Sequence, residues 1–239
     1  MKNIIFVCLM ASILPLPSMV VAGMKVPDFS HYKDVKKKKI AFFEFMLPYI
    51  KKSNAEIKKT RGFLQALSAN QLSKQQSRLI EIAEKYRVSH KGKPLLEVKR
   101  ALLKKVDIIP PSLALAQAAN ESAWGTSRFA RKASNFYGQW CFTKGCGLVP
   151  NQRGTGKGHE VRKFDSAFIS VKSYIHNLNS HPAYAQLREI RYKKRQQKQR
   201  ATGLELVVGL EKYSQRKHEY VKELSNMIRF NKLSRRYDS

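Results

Sequence analysis

One stretch of the chain, residues 134 to 165, interrupts a helical pattern that otherwise extends from Val35 almost to the last residue. On both sides of it apolar residues recur every three or four positions, as Ile40, Phe43 and Leu47 do, which predicts amphipathic helices. The stretch itself is rich in glycine, asparagine and aromatic residues and holds two cysteines. The sequence therefore predicts an α+β fold, mostly α, with a small β-hairpin in the middle.

Local signals within this pattern predict where elements begin and end. Pro48 is expected to interrupt the first long helix. Ser112 is expected to cap a compact, alanine-rich and buried helix that leads to Glu121. In the irregular stretch, Val161, Lys163 and Phe164 fit a short strand, and the glycine-rich segment 154–158 fits the turn before it.

The N-terminus has the layout of a secretory signal peptide. Lys2 supplies a positive charge, residues 4–22 are apolar and uncharged, and the segment ends in Val-Val-Ala. A membrane anchor is the alternative, but Pro15 and Pro17 argue against an unbroken spanning helix. We expect cleavage after Ala22, and a mature protein in the periplasm or outside the cell.

Two cysteines would remain after this cleavage, because it also removes Cys8. An even count in an exported protein suggests a disulfide between Cys141 and Cys146. Zinc binding is the alternative, but a second pair of ligands is lacking, and His159 alone does not supply one. We therefore expect no metal and no cofactor.

The charge balance is the abnormal feature of the composition. The chain has 46 Lys and Arg against 17 Asp and Glu, a formal net charge of +29. Such a chain is attracted to polyanions. No nucleic-acid-binding motif is present and the cations are widely spread, so DNA or RNA is disfavoured. Outside the cytoplasm, the expected contacts are with anionic surfaces of the cell envelope.

Glu121 is the main candidate for a catalytic residue. It lies near the end of the helix expected to be buried, three residues before Trp124. A carboxyl group packed against an aromatic ring and shielded from water has a raised pKa. It can then protonate a leaving oxygen, as glycoside cleavage requires. A solvated glutamate that bonds a backbone amide is the alternative.

Several motifs in the same order resemble the glucosaminidase family of peptidoglycan hydrolases. They are Ala-Asn-Glu-Ser-Ala-Trp-Gly and the residues after it (119–130), Asn-Phe-Tyr-Gly (135–138), a strand segment (159–166), His-Pro-Ala-Tyr-Ala (181–185) and a Tyr-rich segment (213–220). At the fourth, His stands where the family has Asn. The sequence around the two cysteines looks like the Bax-type branch in particular. The resemblance implies a lysozyme-like helical fold.

The resemblance also implies functional residues. Glu121 matches the general acid of the family, Glu160 matches the proposed second carboxylate, and Tyr184 matches a tyrosine that lines the cleavage site. The implied reaction is hydrolysis of the β-1,4 bond between N-acetylglucosamine and N-acetylmuramic acid in peptidoglycan strands. The implied catalytic domain is 101–239, after an N-terminal helical extension over 23–100.

The aromatic loop supplies candidate substrate-binding residues. Ring faces suit the C–H face of a sugar, and Tyr137 and Trp140 are favoured because they lie in a loop rather than on a helical face. Trp124, Asn135 and Gly138 from the resembling motifs complete the predicted set. Core packing is the alternative for the aromatic residues.

Two mechanisms remain open. If Glu160 is a base ~6.5–9.5 Å from Glu121, a water fits between them and the anomeric centre inverts. If the acetamide group of the substrate attacks instead, configuration is retained, and Tyr184 could steady it. Glu160 could also be a strand carboxylate paired with a neighbouring cation, and Asp165 is a weaker candidate for the second carboxylate.

Other functions compete with hydrolysis. A lytic transglycosylase shares the Glu-Ser pair but needs only one acid and leaves an anhydro sugar. A basic protein that binds the wall without cutting it would keep the fold and lose the activity. We expect a monomer in either case.

Overall fold

A computed structural model describes residues 25–151, 156 and 158–238. The expected signal peptide, with its cleavage after Ala22, lies outside the described residues, as does most of the glycine-rich turn at 154–158. In the described part of the chain, no helix combines the length and the apolar character that crossing a bilayer requires.

The described chain is mostly helical with one small antiparallel sheet, as the sequence predicts. Its helices and strands are α1 (Val35–Ala66), α2 (Ala69–Leu72), α3 (Gln76–Lys85), α4 (Leu95–Lys105), α5 (Pro111–Glu121), α6 (Arg128–Ala133), β1 (Trp140–Cys141), β2 (Gly147–Leu148), β3 (Glu160–Arg162), α7 (Ala167–Ser180), α8 (Ala185–Gln196), α9 (Gly203–Leu206), α10 (Lys217–Phe230) and α11 (Leu233–Tyr237). Three 3-10 segments accompany them, at Phe29–His31, Pro182–Tyr184 and Val207–Tyr213.

Helix α1 continues through Pro48, so the predicted interruption is wrong. Proline removes one helical hydrogen bond, to the carbonyl of Glu44. Both residues are exposed, and water can satisfy that carbonyl. On the other face, Phe42, Met46 and Ile50 are fully buried and hold the helix against the core.

Helix α5 occupies the centre of the fold, where it packs against α1, α10 and α11. Every side chain from Ser112 to Ala119 is buried, because small alanines allow close approach of these helices. The helix begins at Pro111, and Ser112 is therefore inside it rather than its cap. Instead, the Asp238 carboxylate accepts hydrogen bonds from the backbone N–H and the hydroxyl of Ser112.

The irregular stretch forms three short strands rather than the predicted hairpin. Their order is β1–β3–β2, with Trp140 opposite Val161 and Leu148 also opposite Val161. The central strand contains Val161, as predicted, but it ends at Arg162, before Lys163 and Phe164. The outer strands have two residues each, so the alternation that identifies a strand could not be seen in the sequence.

A buried carboxylate joins the N-terminal helices to the rest of the chain. Asp107, just after α4, is 3% exposed and receives two hydrogen bonds from the Arg195 guanidinium on α8. Arg191, on the same helix, lies 4.0 Å from it, and Arg61 on α1 lies 3.7 Å from it. The group therefore ties α1 and α8 to the start of the catalytic region that the sequence predicts.

Candidate active site

Glu121 is the last residue of α5, and its side chain is half-buried. Its Oε1 accepts a hydrogen bond of 2.7 Å from the hydroxyl of Tyr220 on α10. Burial raises the pKa of Glu121, and the hydrogen bonds from Tyr220 and Asn120 only partly oppose that effect. A carboxyl group in this state keeps its proton to higher pH than a solvated glutamate, which suits a general acid.

A chain of hydrogen bonds behind Glu121 fixes the orientation of this contact. Gln117, one turn earlier on α5, donates from Nε2 to the Tyr220 oxygen at 2.9 Å. Its Oε1 accepts from the hydroxyl of Tyr174 on α7 at 2.6 Å. Each donor in this chain points toward the next residue, and the last one points at Glu121. Since all three supporting side chains are buried, the carboxyl group is held by a rigid polar network.

Five tyrosines surround the acid and its supports. The Tyr137 and Tyr174 rings stack with centroids 3.8 Å apart, and the Tyr213 and Tyr220 rings stack at 5.6 Å. The ring centroids of Tyr184 and Tyr213 are 5.8 Å apart. Burial raises the pKa of all five, that of Tyr184 to about 12, so their hydroxyls stay neutral donors at physiological pH.

The loop beside the acid is organised by Asn135. Its Nδ2 donates to the carbonyls of Gln139 and Arg162, and its Oδ1 accepts from the backbone N–H of Gln139. This brings Gly138 next to Glu121, where a Cβ added to the glycine would lie 3.4 Å from Oε2. Gly138 also has a φ of +63°, which glycine adopts without strain. The predicted substrate-binding residues Asn135 and Gly138 therefore lie at the acid, Asn135 as a buried support.

The Trp124 indole, which the sequence predicts to shield Glu121, packs on helix α1. After α5 the chain reverses through Ala123, Trp124 and Gly125, all with positive φ. The reversal turns the indole toward α1, where its ring centroid lies 5.9 Å from that of Phe42 and 5.3 Å from that of Phe43. The aromatic residue beside the acid is instead Tyr220.

Tyr137 and Trp140 have different environments, although they lie in the same loop. Tyr137 is only 1% exposed and one face of its ring is covered by Tyr174, so it packs in the core and offers no open ring to a sugar. Trp140 is 55% exposed and stacks on His159 with centroids 4.3 Å apart. Of the two, Trp140 alone keeps the features expected of a sugar-stacking residue.

The predicted disulfide between Cys141 and Cys146 is present, and it closes the loop between β1 and β2. Glu160 on β3 lies under this loop and is buried. Its Oε1 accepts from the N–H of Gly145 at 2.9 Å and its Oε2 from that of Gly147 at 2.7 Å. Both carboxylate oxygens are thus held against the backbone of the disulfide loop, a contact that sequence reasoning did not anticipate.

Sequence reasoning missed the residues that support Glu121. Gln117 is the only polar side chain between Ser112 and Asn120 on α5, and it precedes Glu121 by one helical turn, which was a detectable signal. Tyr213 and Tyr220 belong to the Tyr-rich segment that was recognised without a role. Tyr174 carried no separate signal, because it also fits the apolar period of α7.

The chain is similar to known proteins along most of its length. A family model described as Glucosaminidase, Mannosyl-glycoprotein endo-beta-N-acetylglucosaminidase, matches residues 97–233. Protein bax of Escherichia coli (strain K12) is 34% identical over 208 residues, which are 86% of this chain and 74% of that protein. Among solved structures, the catalytic domain of the autolysin Auto from Listeria monocytogenes matches 74% of this chain and 95% of that one, with 18% identity and a TM-score of 0.40.

Proposed function

The chain belongs to the glucosaminidase family of glycoside hydrolases, and from this premise we propose that it hydrolyses the β-1,4 bond between N-acetylglucosamine and N-acetylmuramic acid in peptidoglycan. Glu121 acts as the general acid. The substrate is an extracytoplasmic polymer, in keeping with the expected export of the chain. Its net charge of +29 would add attraction to an anionic envelope.

The observation that supports this proposal most is the environment of Glu121. A sugar alkoxide leaves poorly unless its oxygen is protonated as the bond breaks. Glu121 has a raised pKa from burial, a fixed orientation from Tyr220, and a glycine instead of a side chain beside Oε2. These three properties let a carboxyl group keep a proton and approach a bulky glycosidic oxygen.

The contacts of Glu160 favour the acetamide-assisted route over the route that uses a second carboxylate. Its two oxygens accept hydrogen bonds from the backbone N–H groups of Gly145 and Gly147. These bonds stiffen the disulfide loop, which has Trp140 at its edge. In this role Glu160 positions the loop and does not activate water. The acetamide group of the substrate then attacks the anomeric carbon, with Tyr184 near the acid to orient it.

Replacement of Glu160 by glutamine tests this assignment. We expect kcat to fall by less than ~10-fold and KM to rise, because the glutamine amide places a donor against a backbone N–H and loosens the loop. Products analysed by NMR immediately after cleavage should show the retained anomer. A fall in kcat of ~10²–10⁴-fold, together with an inverted product, would instead identify Glu160 as the base.

The reaction itself is tested by digesting purified sacculi and identifying the new ends by mass spectrometry. Hydrolysis as proposed leaves reducing N-acetylglucosamine ends. Ends carrying 1,6-anhydro-N-acetylmuramic acid would identify a lytic transglycosylase. Binding to sacculi without new ends would identify a protein that binds the wall and does not cut it.

Replacement of Tyr220 by phenylalanine should change the pH dependence of cleavage. The Tyr220 hydroxyl lowers the pKa of Glu121 by hydrogen bonding, so its removal raises that pKa further. We expect the alkaline limb of the pH–rate profile, where the acid loses its proton, to move to higher pH, with about a tenfold loss of rate at its maximum.

The matched control is Tyr213→Phe. Tyr213 stacks on Tyr220, but its hydroxyl donates to the backbone carbonyl of Tyr137 and not to the acid. The control should leave the alkaline limb in place. If both variants shift the limb equally, the hydrogen bond to Glu121 does not set its pKa.

A further inference from the structure

A basic cavity of about 470 Å³ lies between α1, α4 and α8, built from residues that do not contact Glu121. Five cations line it, with Asp107 as the acidic residue among its lining residues: Lys58, Arg61, Arg100, Arg195 and Arg200. Low-dielectric walls concentrate the field of charges placed around a concave surface. The cavity is thus a region of strong positive potential.

The floor of this cavity carries more positive than negative charge. Asp107 is surrounded by Arg195, Arg191 and Arg61, so one carboxylate faces three guanidinium groups. Burial lowers the pKa of Arg61. The charge of Arg195 lowers it further, whereas the charge of Asp107 raises it. Arg191 lies behind the residues that line the cavity, so Arg61 and Arg195 leave one positive charge at the floor that no acidic side chain matches, and a bound anion would relieve this repulsion.

The rim adds three more cations. Lys58, Arg100 and Arg200 are exposed, and among the described residues none of them forms an ion pair with a carboxylate. They come from three different parts of the chain, the middle of α1, the middle of α4 and the segment after α8. Their convergence on one cavity is a product of the tertiary fold and not of a local run of basic sequence.

We propose that this cavity binds a phosphate dianion, carried either by a lipid headgroup or by a soluble phosphate monoester. Together with the rim, the lining carries four positive charges more than Asp107 balances, and a dianion offsets more of this charge than a carboxylate does. Guanidinium groups form paired hydrogen bonds to phosphate oxygens, and Arg61 is held in place for this by bonds from its Nη1 to the carbonyls of Leu103 and Val106. The rim cations add further positive charge around the ligand. This site is independent of the glycosidase activity.

The proposal is tested with glycerol phosphate as the soluble probe. Isothermal titration at pH 8 and fixed ionic strength compares the wild-type protein with the triple variant Lys58→Gln, Arg100→Gln and Arg200→Gln. These residues hold no ion pair in the described structure, so the fold should survive, which the melting temperature verifies. We expect saturable binding by the wild-type protein and at least a tenfold higher Kd for the variant.

A second triple variant controls for bulk charge. Lys33→Gln, Lys74→Gln and Lys91→Gln remove the same charge from exposed lysines away from the cavity. Its Kd should stay within twofold of the wild-type value. Equal weakening by both triple variants would overturn the proposal, because binding would then depend on total charge.

Vesicles distinguish the two sources of phosphate. Cosedimentation is measured with phosphatidylcholine vesicles that contain or lack phosphatidic acid, at the same ionic strength. Three results together identify a lipid headgroup: retention requires phosphatidic acid, it is lost only in the cavity variant, and glycerol phosphate competes with it. Binding of glycerol phosphate without vesicle retention identifies a soluble ligand. If the wild-type protein binds neither probe, the cavity is not a phosphate site.

Discussion

Replacement of Glu121 by glutamine should lower the rate of glycan cleavage by ~10²–10⁴-fold, the usual contribution of a general acid. Glutamine keeps the size of the side chain and can still accept the hydrogen bond of 2.7 Å from Tyr220. It cannot deliver a proton to the glycosidic oxygen. The loss should therefore appear in kcat, with binding to sacculi preserved, as measured by release of soluble fragments and by cosedimentation.

The same variant should be more stable than the wild-type protein at neutral pH. Burial raises the pKa of Glu121, so folding becomes less favourable as pH rises through the range in which the folded protein retains the proton and the unfolded chain has lost it. Glutamine removes this cost, and relief of an unfavourable active-site group typically gives ~0.5–2 kcal/mol. The difference in melting temperature should shrink toward pH 4.

Glu219→Gln is the control for both measurements. Glu219 lies next to Tyr220 on α10 and is exposed, so its replacement removes the same charge without altering the acid. It should retain activity within about twofold of wild type and show no stabilisation at neutral pH, as expected for a surface substitution. Full activity in Glu121→Gln would refute the assignment of the acid.

Replacement of Asp107 by alanine should destabilise the fold by about 3–5 kcal/mol, the typical cost of leaving a buried charge without its partner. The variant would strand Arg191, which is 3% exposed, and would remove both hydrogen bonds of Arg195. For a chain of this length the melting temperature should fall by roughly 6–20 °C. Differential scanning calorimetry measures this change directly.

The pH dependence of this loss has a definite sign. Burial raises the pKa of Asp107, but the Arg195 hydrogen bond and the charges of Arg191 and Arg61 outweigh it, and the net pKa lies below the usual value. The stabilisation is therefore present above the pKa of an unfolded aspartate and is lost as pH falls through the folded one. The gap between wild type and variant should close in strong acid.

Glu189→Ala provides the comparison for Asp107. Its ion pair with Lys104 is 2.8 Å long, but both side chains are close to half exposed. Water screens such a pair, so its loss should cost no more than about 1 kcal/mol. Equal destabilisation by the two variants would mean that burial of Asp107 does not matter.

Most helices could be predicted from the sequence, because the residues that favour or interrupt a helix lie within the helix itself. The alanines of α5 predicted a buried helix with Glu121 near its end and Gly125 as its stop, and the helix ends slightly earlier, at Glu121 itself. Pro48 gave the wrong prediction because the effect of a proline depends on whether the carbonyl it leaves unbonded can reach water. That depends on which face of α1 is buried, and the choice is made by packing.

The surroundings of the acid could not be predicted, since they are long-range contacts. Tyr220 is 99 residues from Glu121 in sequence, and the nearby Trp124 was the natural guess for its aromatic neighbour. Tyr137 and Trp140 differ by three positions in a loop without periodicity, so nothing local decided which ring would be covered. Glu160 was identified as a functional candidate, yet its contact with the disulfide loop depends on the pairing of three strands.

The Asp238 carboxylate that holds Ser112 also accepts a hydrogen bond from the backbone N–H of Gly203. The tail of the polypeptide is thereby fastened to the opening turn of the helix that ends at the acid. Removal of Asp238 would break these hydrogen bonds and let α5, with Glu121 at its end, shift.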